Sequence, residues 1–467
     1  MTEINTQIAQ FLQGQEKLSV PFNLTIDSKC YECTKVLRLL QGKRLVVKAE
    51  NNGQQLVIKL FSLAKKGKRE LSREQRGYQL AVQSGVNVAK LVFIVDELAG
   101  YCAIAYQYLD SARPFVDKKK TLARYVDKLL HLVATLHGFG IYQSDFHLNN
   151  ILIANDGLHL IDLASVEQEK PDQPLSKQKS LANLAVLVVQ FKPKQQQILI
   201  GHLQQYYKMR NWQFDIDEQD KFNAYVDKAW QKRKKIYLKK RFRNCTMTAY
   251  KQTFSQQYGF CRSFFDMVGD EFINNIDELM LNGTMLKAGN SSTVVQVNYL
   301  GKELVIKRYN IKNFGHFLKR CYRPSRAAMS WKNGNLLELL GIPTPQPLGF
   351  IEQRFGPFRK TAYLICERSG GQELSRVFKS RGPSEEELSR LKDIFETLKR
   401  YQISHGDLKA SNFLLKKKGK IELIDLDAMR EHQSYKAFFH AFNNDKARFI
   451  RNWHDVGVKE VFEALLL

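Results

Sequence analysis

The stretch ISHGDLKASNFLLKKKGKIELIDLDAM, Ile403 to Met429, decides how this chain is read. A short loop sets Asp407 five residues before Asn412, two apolar runs then make a hairpin, and the second run delivers Asp425 back across from the loop. An earlier stretch, QSDFHLNNILIANDGLHLIDLAS, Gln143 to Ser165, has the same plan with Asp145, Asn150 and Asp162. Asp145 to Asp162 is one residue shorter than Asp407 to Asp425. A bare D-x-x-x-x-N arises by chance about once in such a chain, so the weight rests on the ordered set, found twice. Repetition on this scale means duplicated domains rather than a solenoid, here 1–250 and 251–467.

Working outward, each half has a strand series ending in a lysine. In the first, VLRLL, RLVVKAE and QQLVIKLF alternate as strands, Asn52-Gly53 makes the hairpin turn between the last two, and Lys59 lies on the third. The helical segment that follows offers Glu70 and Glu74 one turn apart, and a helix from about Leu122 to Phe139 precedes the loop. In the second, MLKAGNSSTVVQVNYLGKELVIKRY repeats the series with Lys307 on the last strand. The bend Gly289-Asn290-Ser291-Ser292 between its first two strands is the candidate phosphate cover, through Gly289 and Ser291. A helix over Ala327 to Leu340 ends at Gly341, and another starts at a Ser384 cap with Glu387 three residues on.

A phosphoryl group moving to a hydroxyl needs its charge neutralised, its metals held and the acceptor oxygen aligned. In the second half Asp407 can orient the hydroxyl and take its proton, Asn412 and Asp425 can hold metal, Lys307 can pair with the phosphates that stay behind, and Lys409 can lie beside the migrating group. Carboxylate and amide oxygens suit a hard ion such as Mg2+. Lys59, Glu74 or Glu70, Asp145, Asn150 and Asp162 stand in the same order in the first half.

With HGDLKASNFLL, ELIDLDAM, GIPTPQPLGFIEQRFGP and the terminal KARFIRNW, the second half resembles the bacterial lipopolysaccharide kinases that phosphorylate Kdo or heptose of the inner core, within the protein-kinase-like superfamily. SDFHLNNILI with HLIDLA is similar but more divergent. The resemblance implies an α+β fold of two tandem bilobal protein-kinase-like domains, each a small antiparallel sheet lobe and a mainly helical lobe. It also implies ATP with Mg2+ and a sugar hydroxyl as acceptor. By carry-over Asp407 and Asp145 match the catalytic aspartate, Asn412, Asp425, Asn150 and Asp162 the metal residues, and Lys307 and Lys59 the strand lysine. Glu367 and Gln107 fall near the adenine-binding hinge. Two departures bear on which copy works. Gln143 stands where His405 stands in the second half, and the second half has Ser330 and Trp331 where an acidic helix partner for Lys307 belongs, with Glu338 late. The second copy, with its complete loop, is expected to turn over, leaving open a first copy that is also active.

Composition bounds the partners. A 467-residue chain, 44% hydrophobic and 25% charged, has the make-up of a soluble, well-cored protein, and neither an apolar run of membrane-spanning length nor a secretory start is evident. The expected location is therefore cytoplasmic, with peripheral attachment to the inner face of the inner membrane. Net charge is +25, with 34 basic and 24 acidic residues from Thr246 onward and 38 against 23 before it. Such a surplus suits a polyanionic partner, either lipopolysaccharide core glycolipid or an anionic membrane surface. KAWQKRKKIYLKKRFR, Lys228 to Arg243, has nine basic residues and no acidic one, and reads either as a solvated helix face or as a lipid-facing surface with Trp230, Tyr237 and Phe242 interleaved. No specific nucleic acid is expected, because no recognition motif accompanies the charge. The seven scattered cysteines (Cys30, Cys33, Cys102, Cys245, Cys261, Cys321, Cys366) read as reduced thiols, and Cys30-x-x-Cys33 lacks a second ligand pair for zinc. A protein kinase, a small-molecule kinase or a pseudokinase scaffold with one inactive copy fits the same residues.

Overall fold

The structure, a computed structural model, describes residues 6–14, 18–116, 119–310 and 323–466. Cys321 lies outside the described residues. The chain divides into two compact units, Met1–Trp230 (unit 1) and Gln231–Leu467 (unit 2). The division falls earlier than 250/251 because the strand Thr248–Gln252 already pairs within the unit 2 sheet, and the Trp331 indole donates to the Arg241 carbonyl at 3.1 Å.

The unit 1 sheet holds β1 (Phe22–Ile26), β2 (Lys29–Leu40), β3 (Arg44–Asn51), β4 (Gln54–Ser62), β5 (Leu91–Leu98) and β6 (Tyr101–Gln107), in the order β1-β2-β3-β4-β6-β5. All neighbours are antiparallel. Alternation along β4 sorts its side chains between two faces. Leu56, Ile58 and Leu60 join the core that Ile8 and Phe11 of α1 (Thr6–Leu12) cover. Lys59 and Phe61 point to the other face, where α2 (Gly67–Gln83) packs through Leu71. Asn52 and Gly53 both have positive φ, 48° and 77°, the backbone that a two-residue turn between β3 and β4 requires. The remaining helices are α3 (Lys119–Gly138), α4 (Lys177–Val188), α5 (Pro193–Gly201), α6 (Leu203–Met209) and α7 (Ile216–Lys240), whose residues from Gln231 onward belong to unit 2.

The unit 2 sheet holds β7 (Thr248–Gln252), β8 (Gln256–Cys261), β9 (Thr284–Gly289), β10 (Ser292–Tyr299), β11 (Lys302–Tyr309), β12 (Pro347–Phe355) and β13 (Phe358–Glu367). Their order is β7-β8-β12-β13-β11-β10-β9. Leu304 and Ile306 face a core shared with α8 (Arg262–Asn274) and α9 (Ile276–Leu281), while Tyr309 faces Ala327, Ala328 and Trp331 of α10 (Arg326–Leu340). Ser325 caps α10 by accepting from Ala328 N, and Gly341, at φ 75°, closes it. Beyond the sheet lie α11 (Leu374–Arg381), α12 (Glu385–Arg400), α13 (Tyr435–Ile450) and α14 (Val456–Leu466). Ser384 and Glu387 form a reciprocal cap on α12.

One plan recurs in both sheets. The series β2-β3-β4-β6-β5 and the series β9-β10-β11-β13-β12 share one spatial order, and the helix between the third and fourth strands in sequence is α2 in one and α10 in the other. Unit 1 adds β1 beyond the first strand of the series, whereas unit 2 adds β8 and β7 beyond the fourth. The lysine sits on the third strand each time, paired across to Val46 and Ile104 for Lys59 and to Val294 and Leu364 for Lys307.

The basic run departs from the lipid-facing reading. Trp230 is buried, Lys234 pairs with Glu431, and the buried Arg241 meets Tyr237 at 2.7 Å. Phe242 packs on Phe350. The aromatics belong to helix packing, and the exposed charge is carried by residues such as Lys232, Lys235 and Lys239. No described helix is long and apolar enough to cross a membrane.

Candidate phosphotransfer sites

In unit 2 the hairpin Phe413–Leu415/Ile421–Leu423 carries the chain from the loop to Asp425. Ile424 N donates to Asn412 O at 2.9 Å, which ties Asn412 beside the residue that precedes Asp425. Asp425 sits at φ 64°, ψ 53°, a left-handed backbone uncommon for a side-chain-bearing residue. It pairs with Lys307 Nζ at 2.5 Å. Burial pushes the Asp425 carboxyl up, and the Lys307 charge and hydrogen bond together with the neighbouring Asp427 and His405 more than offset it, holding the group below the usual carboxylate value.

The loop around Asp407 is fastened from beneath. Asp445 of α13, buried, accepts from His405 N at 2.6 Å and from Gly406 N at 3.0 Å. His405, fully buried, donates from Nε2 to Ile424 O at 3.0 Å, leaving Nδ1 to accept from Asp407 N at 3.4 Å. Burial pulls the imidazole below its ordinary value, against the opposing hydrogen bond and the Asp445 charge, so it stays neutral near pH 7. Asn412 Nδ2 donates to Asp407 O at 2.7 Å. The Asp407 carboxylate meets Lys409 at 3.1 Å through one oxygen and Arg448 at 2.8 Å through the other.

The helix partner of Lys307 is absent because α10 is fastened in another way. Ser330, buried, hydrogen-bonds the Tyr309 hydroxyl at 3.0 Å. Asn333 donates to Leu426 O at 2.7 Å and Met429 O at 3.0 Å, and Arg326 pairs with Asp427. Glu338 points elsewhere, to Arg241 at 3.7 Å. Lys307 is thus left to Asp425 alone among the described carboxylates. Gly289 and Ser291 lie at the β9–β10 turn, where their carbonyls accept from Asn310 Nδ2 at 3.4 Å and Arg326 Nη1 at 3.5 Å.

Unit 1 repeats the backbone and changes the side chains. Ile161 N donates to Asn150 O at 2.8 Å, and Asp162 sits at φ 58°, ψ 63°. Lys59 meets Glu74 at 2.5 Å and Asp162 at 3.6 Å. Glu74, buried, also accepts from Ala164 N at 3.0 Å, and a Cβ on Gly77 would run into Leu163 O, so α2 rides directly on the segment after Asp162. Of the two glutamates one turn apart, Glu74 is the lysine's partner. Arg38 and Arg44 each reach Asp162 at 3.6 Å. Burial pushes the Asp162 carboxyl up, and Lys59, Arg44 and Arg38 together bring it below its usual value.

At the loop, Gln143 is fully buried and neither side-chain polar atom has a hydrogen-bond partner among the described residues. Its carbonyl accepts from Asn183 at 2.8 Å, and Asn183 Oδ1 accepts from His137 Nε2 at 3.1 Å. Asp145 is exposed, and His147 stands where Lys409 stands in unit 2.

Sequence reasoning missed Asp445, Arg448, Asn333, Arg326, Arg38 and Arg44. Asp445 left a signal: Phe438, Phe442 and Phe449 mark the buried face of α13, and Asp445 falls on that face at helical spacing. A carboxylate placed among phenylalanines needs partners. Arg38 and Arg44 left none, since strand arginines are usually solvated.

The donor set of unit 2 suits magnesium. The Asn412 amide nitrogen is spent on Asp407 O, which turns its oxygen away, and Asp425 keeps one oxygen outside its ion pair with Lys307. No group of three or more His, Cys, Asp or Glu gathers among the described residues, and an ion that takes few protein oxygens and completes its shell with water and phosphate asks for none.

Residues 289–451, which include Lys307, Asp407, Asn412, Asp425, Asp445 and Arg448, match the model of the lipopolysaccharide kinase (Kdo/WaaP) family. No curated protein matches the chain.

Proposed function

We propose that the chain is an ATP-dependent phosphotransferase acting on a sugar hydroxyl, of Kdo or heptose, in the lipopolysaccharide inner core, with unit 2 as the working site. The observation that carries this reading is the Lys307–Asp425 pair at 2.5 Å, held beside Asn412, inside the segment that matches a lipopolysaccharide kinase family. The repeated strand order supports a duplicated kinase-like domain with one cleft per unit.

In this reading Asp407 aligns the acceptor hydroxyl and takes its proton, a task of positioning more than of basicity when the transition state is loose. Lys409 and Arg448, both already on Asp407, flank the place where the migrating group gathers negative charge. Lys307 pairs with the phosphates that stay behind. Asn412 and Asp425 would hold a magnesium ion, which when bound neutralises phosphate charge. Gly289 and Ser291 lie at the turn that would cover the phosphates. The anionic glycolipid suits a chain of net charge +25, and attachment to the inner membrane face would rest on exposed lysines rather than on the inward-turned aromatics.

Purified protein given labelled ATP and core lipopolysaccharide should label the glycolipid, and Asp407→Asn should remove that label. Label on protein hydroxyls with none on glycolipid would favour a protein kinase, and full transfer by the Asp407 variant would defeat the site assignment.

A further inference from the structure

The carboxylates that match each other in the two clefts have different neighbours. Among the described residues Asp425 has one cation, Lys307. Asp162 has three, Lys59, Arg44 and Arg38, each at 3.6 Å, with the Lys59 and Arg44 side chains only 11% and 13% exposed. A divalent ion would have to enter against three positive charges, and each Asp162 oxygen already faces at least one of them. The pair Asn150 and Asp162 therefore does not fit magnesium.

The arginines are also unfinished. At 3.6 Å their contact with Asp162 is an ion pair longer than a hydrogen bond, and among the described residues neither guanidinium donates a hydrogen bond to any group. The Arg44 Nε is buried and without a partner. The Arg44 guanidinium, withdrawn from water with its donors unfilled, calls for an anion with several acceptor oxygens, and phosphate matches that fork in geometry and charge, while Arg38 beside it, 52% exposed, adds a second cation open to the same anion. The arginines flank the β2–β3 turn, and β4 beside them carries Lys59, so all three cations converge where the kinase plan of strands puts a nucleotide's phosphate tail.

We propose that the unit 1 cleft is a metal-independent site for a nucleoside triphosphate, in which Arg38 and Arg44 neutralise the phosphates in place of the ion, and that it holds the nucleotide without transferring it. Gln143 in place of the neutral, doubly hydrogen-bonded His405, together with an Asp145 that has no ion pair among the described residues, fits a cleft that binds and does not turn over. The inference rests on the shared strand order and not on the transfer proposed for unit 2.

Titration calorimetry of the full chain with ATP in excess EDTA tests it. One equivalent should bind. Arg38→Ala combined with Arg44→Lys, the second chosen to keep the half-buried position filled, should weaken that binding at least tenfold. Asp162→Asn should leave it equal or tighter, because the mutation removes a charge that competes with phosphate. Lys307→Ala should not change it. Tripolyphosphate should compete more weakly than ATP. Absence of binding in EDTA by a folded chain, loss on Asp162→Asn, survival in the arginine double variant, or loss on Lys307→Ala overturns the proposal, and tripolyphosphate matching ATP overturns the nucleotide part. Asp407→Asn, measured for transfer and for EDTA-resistant binding, separates this site from unit 2: loss of transfer with binding intact is expected, and loss of both contradicts a separate site.

Discussion

The loops Gln143–Asn150 and His405–Asn412 share a backbone, including the tie from the amide before the second aspartate to the asparagine carbonyl, 2.8 Å in one and 2.9 Å in the other. What lies beneath them differs. Under the second, a buried carboxylate takes two loop amides and a buried imidazole bonds both ways along the chain. Under the first, the loop carbonyl rests on the Asn183, His137 and Tyr206 side chains, and a buried glutamine goes without partners. The lesson is that a strand-and-loop plan can persist while the charges that make it useful are exchanged. Unit 2 keeps a lightly paired carboxylate and a clamped aspartate, whereas unit 1 keeps the lysine–glutamate pair and surrounds its carboxylate with cations.

Substitutions in matched positions sharpen the contrast. The largest expected effect is on transfer: Asp425→Asn should lower the rate by about a thousandfold, given the phosphate-charge stabilisation at stake, while Asp162→Asn leaves it within about twofold. Initial rates with labelled ATP measure both. Next is the support of the loop. Asp445→Ala removes the acceptor of the buried His405 amide and of the part-buried Gly406 amide and should cost unit 2 roughly 3 kcal/mol, read from denaturant unfolding, with Asp445→Asn recovering part of it.

Acid should loosen unit 1 through His137, which burial pushes down to about 3. The unfolded chain takes that proton near pH 6.5 and the folded one does not until about pH 3, so the stability this histidine contributes is complete above pH 6.5 and is lost as pH falls through that window, at up to about 1.4 kcal/mol per pH unit. Unfolding curves at pH 7 and pH 5 should show the loss, and His137→Phe should flatten it. The smallest effect is at Gln143. Replacing it with Met removes two unsatisfied polar atoms and should be neutral or stabilise unit 1 by about 1 kcal/mol, with no change in transfer; a clear loss of stability would mean that the glutamine is bonded after all.

Much of this architecture was legible because it rests on local chemistry. Alternation put Lys59 and Lys307 on the last strand of each series, Asn52-Gly53 marked a hairpin turn, Gly341 a helix end, and Ser384 with Glu387 announced a helix start. What the sequence hid was long-range. Whether Glu70 or Glu74 meets Lys59 depends on how α2 is rotated against the sheet, and that Asp162 draws in Arg38 and Arg44 depends on a hairpin closing over a loop more than a hundred residues away in the chain. The aromatics of the basic run misled for the same reason, since Trp230 and Phe242 are placed by packing that charge count does not report.

If the proposed function holds, unit 2 alone performs the transfer. Mass spectrometry of core oligosaccharide from cells carrying the unaltered chain, Asp407→Asn or Asp145→Asn tests it directly. One phosphate should be missing with Asp407→Asn and present with Asp145→Asn. A phosphate lost with Asp145→Asn, or retained in full with Asp407→Asn, would contradict it.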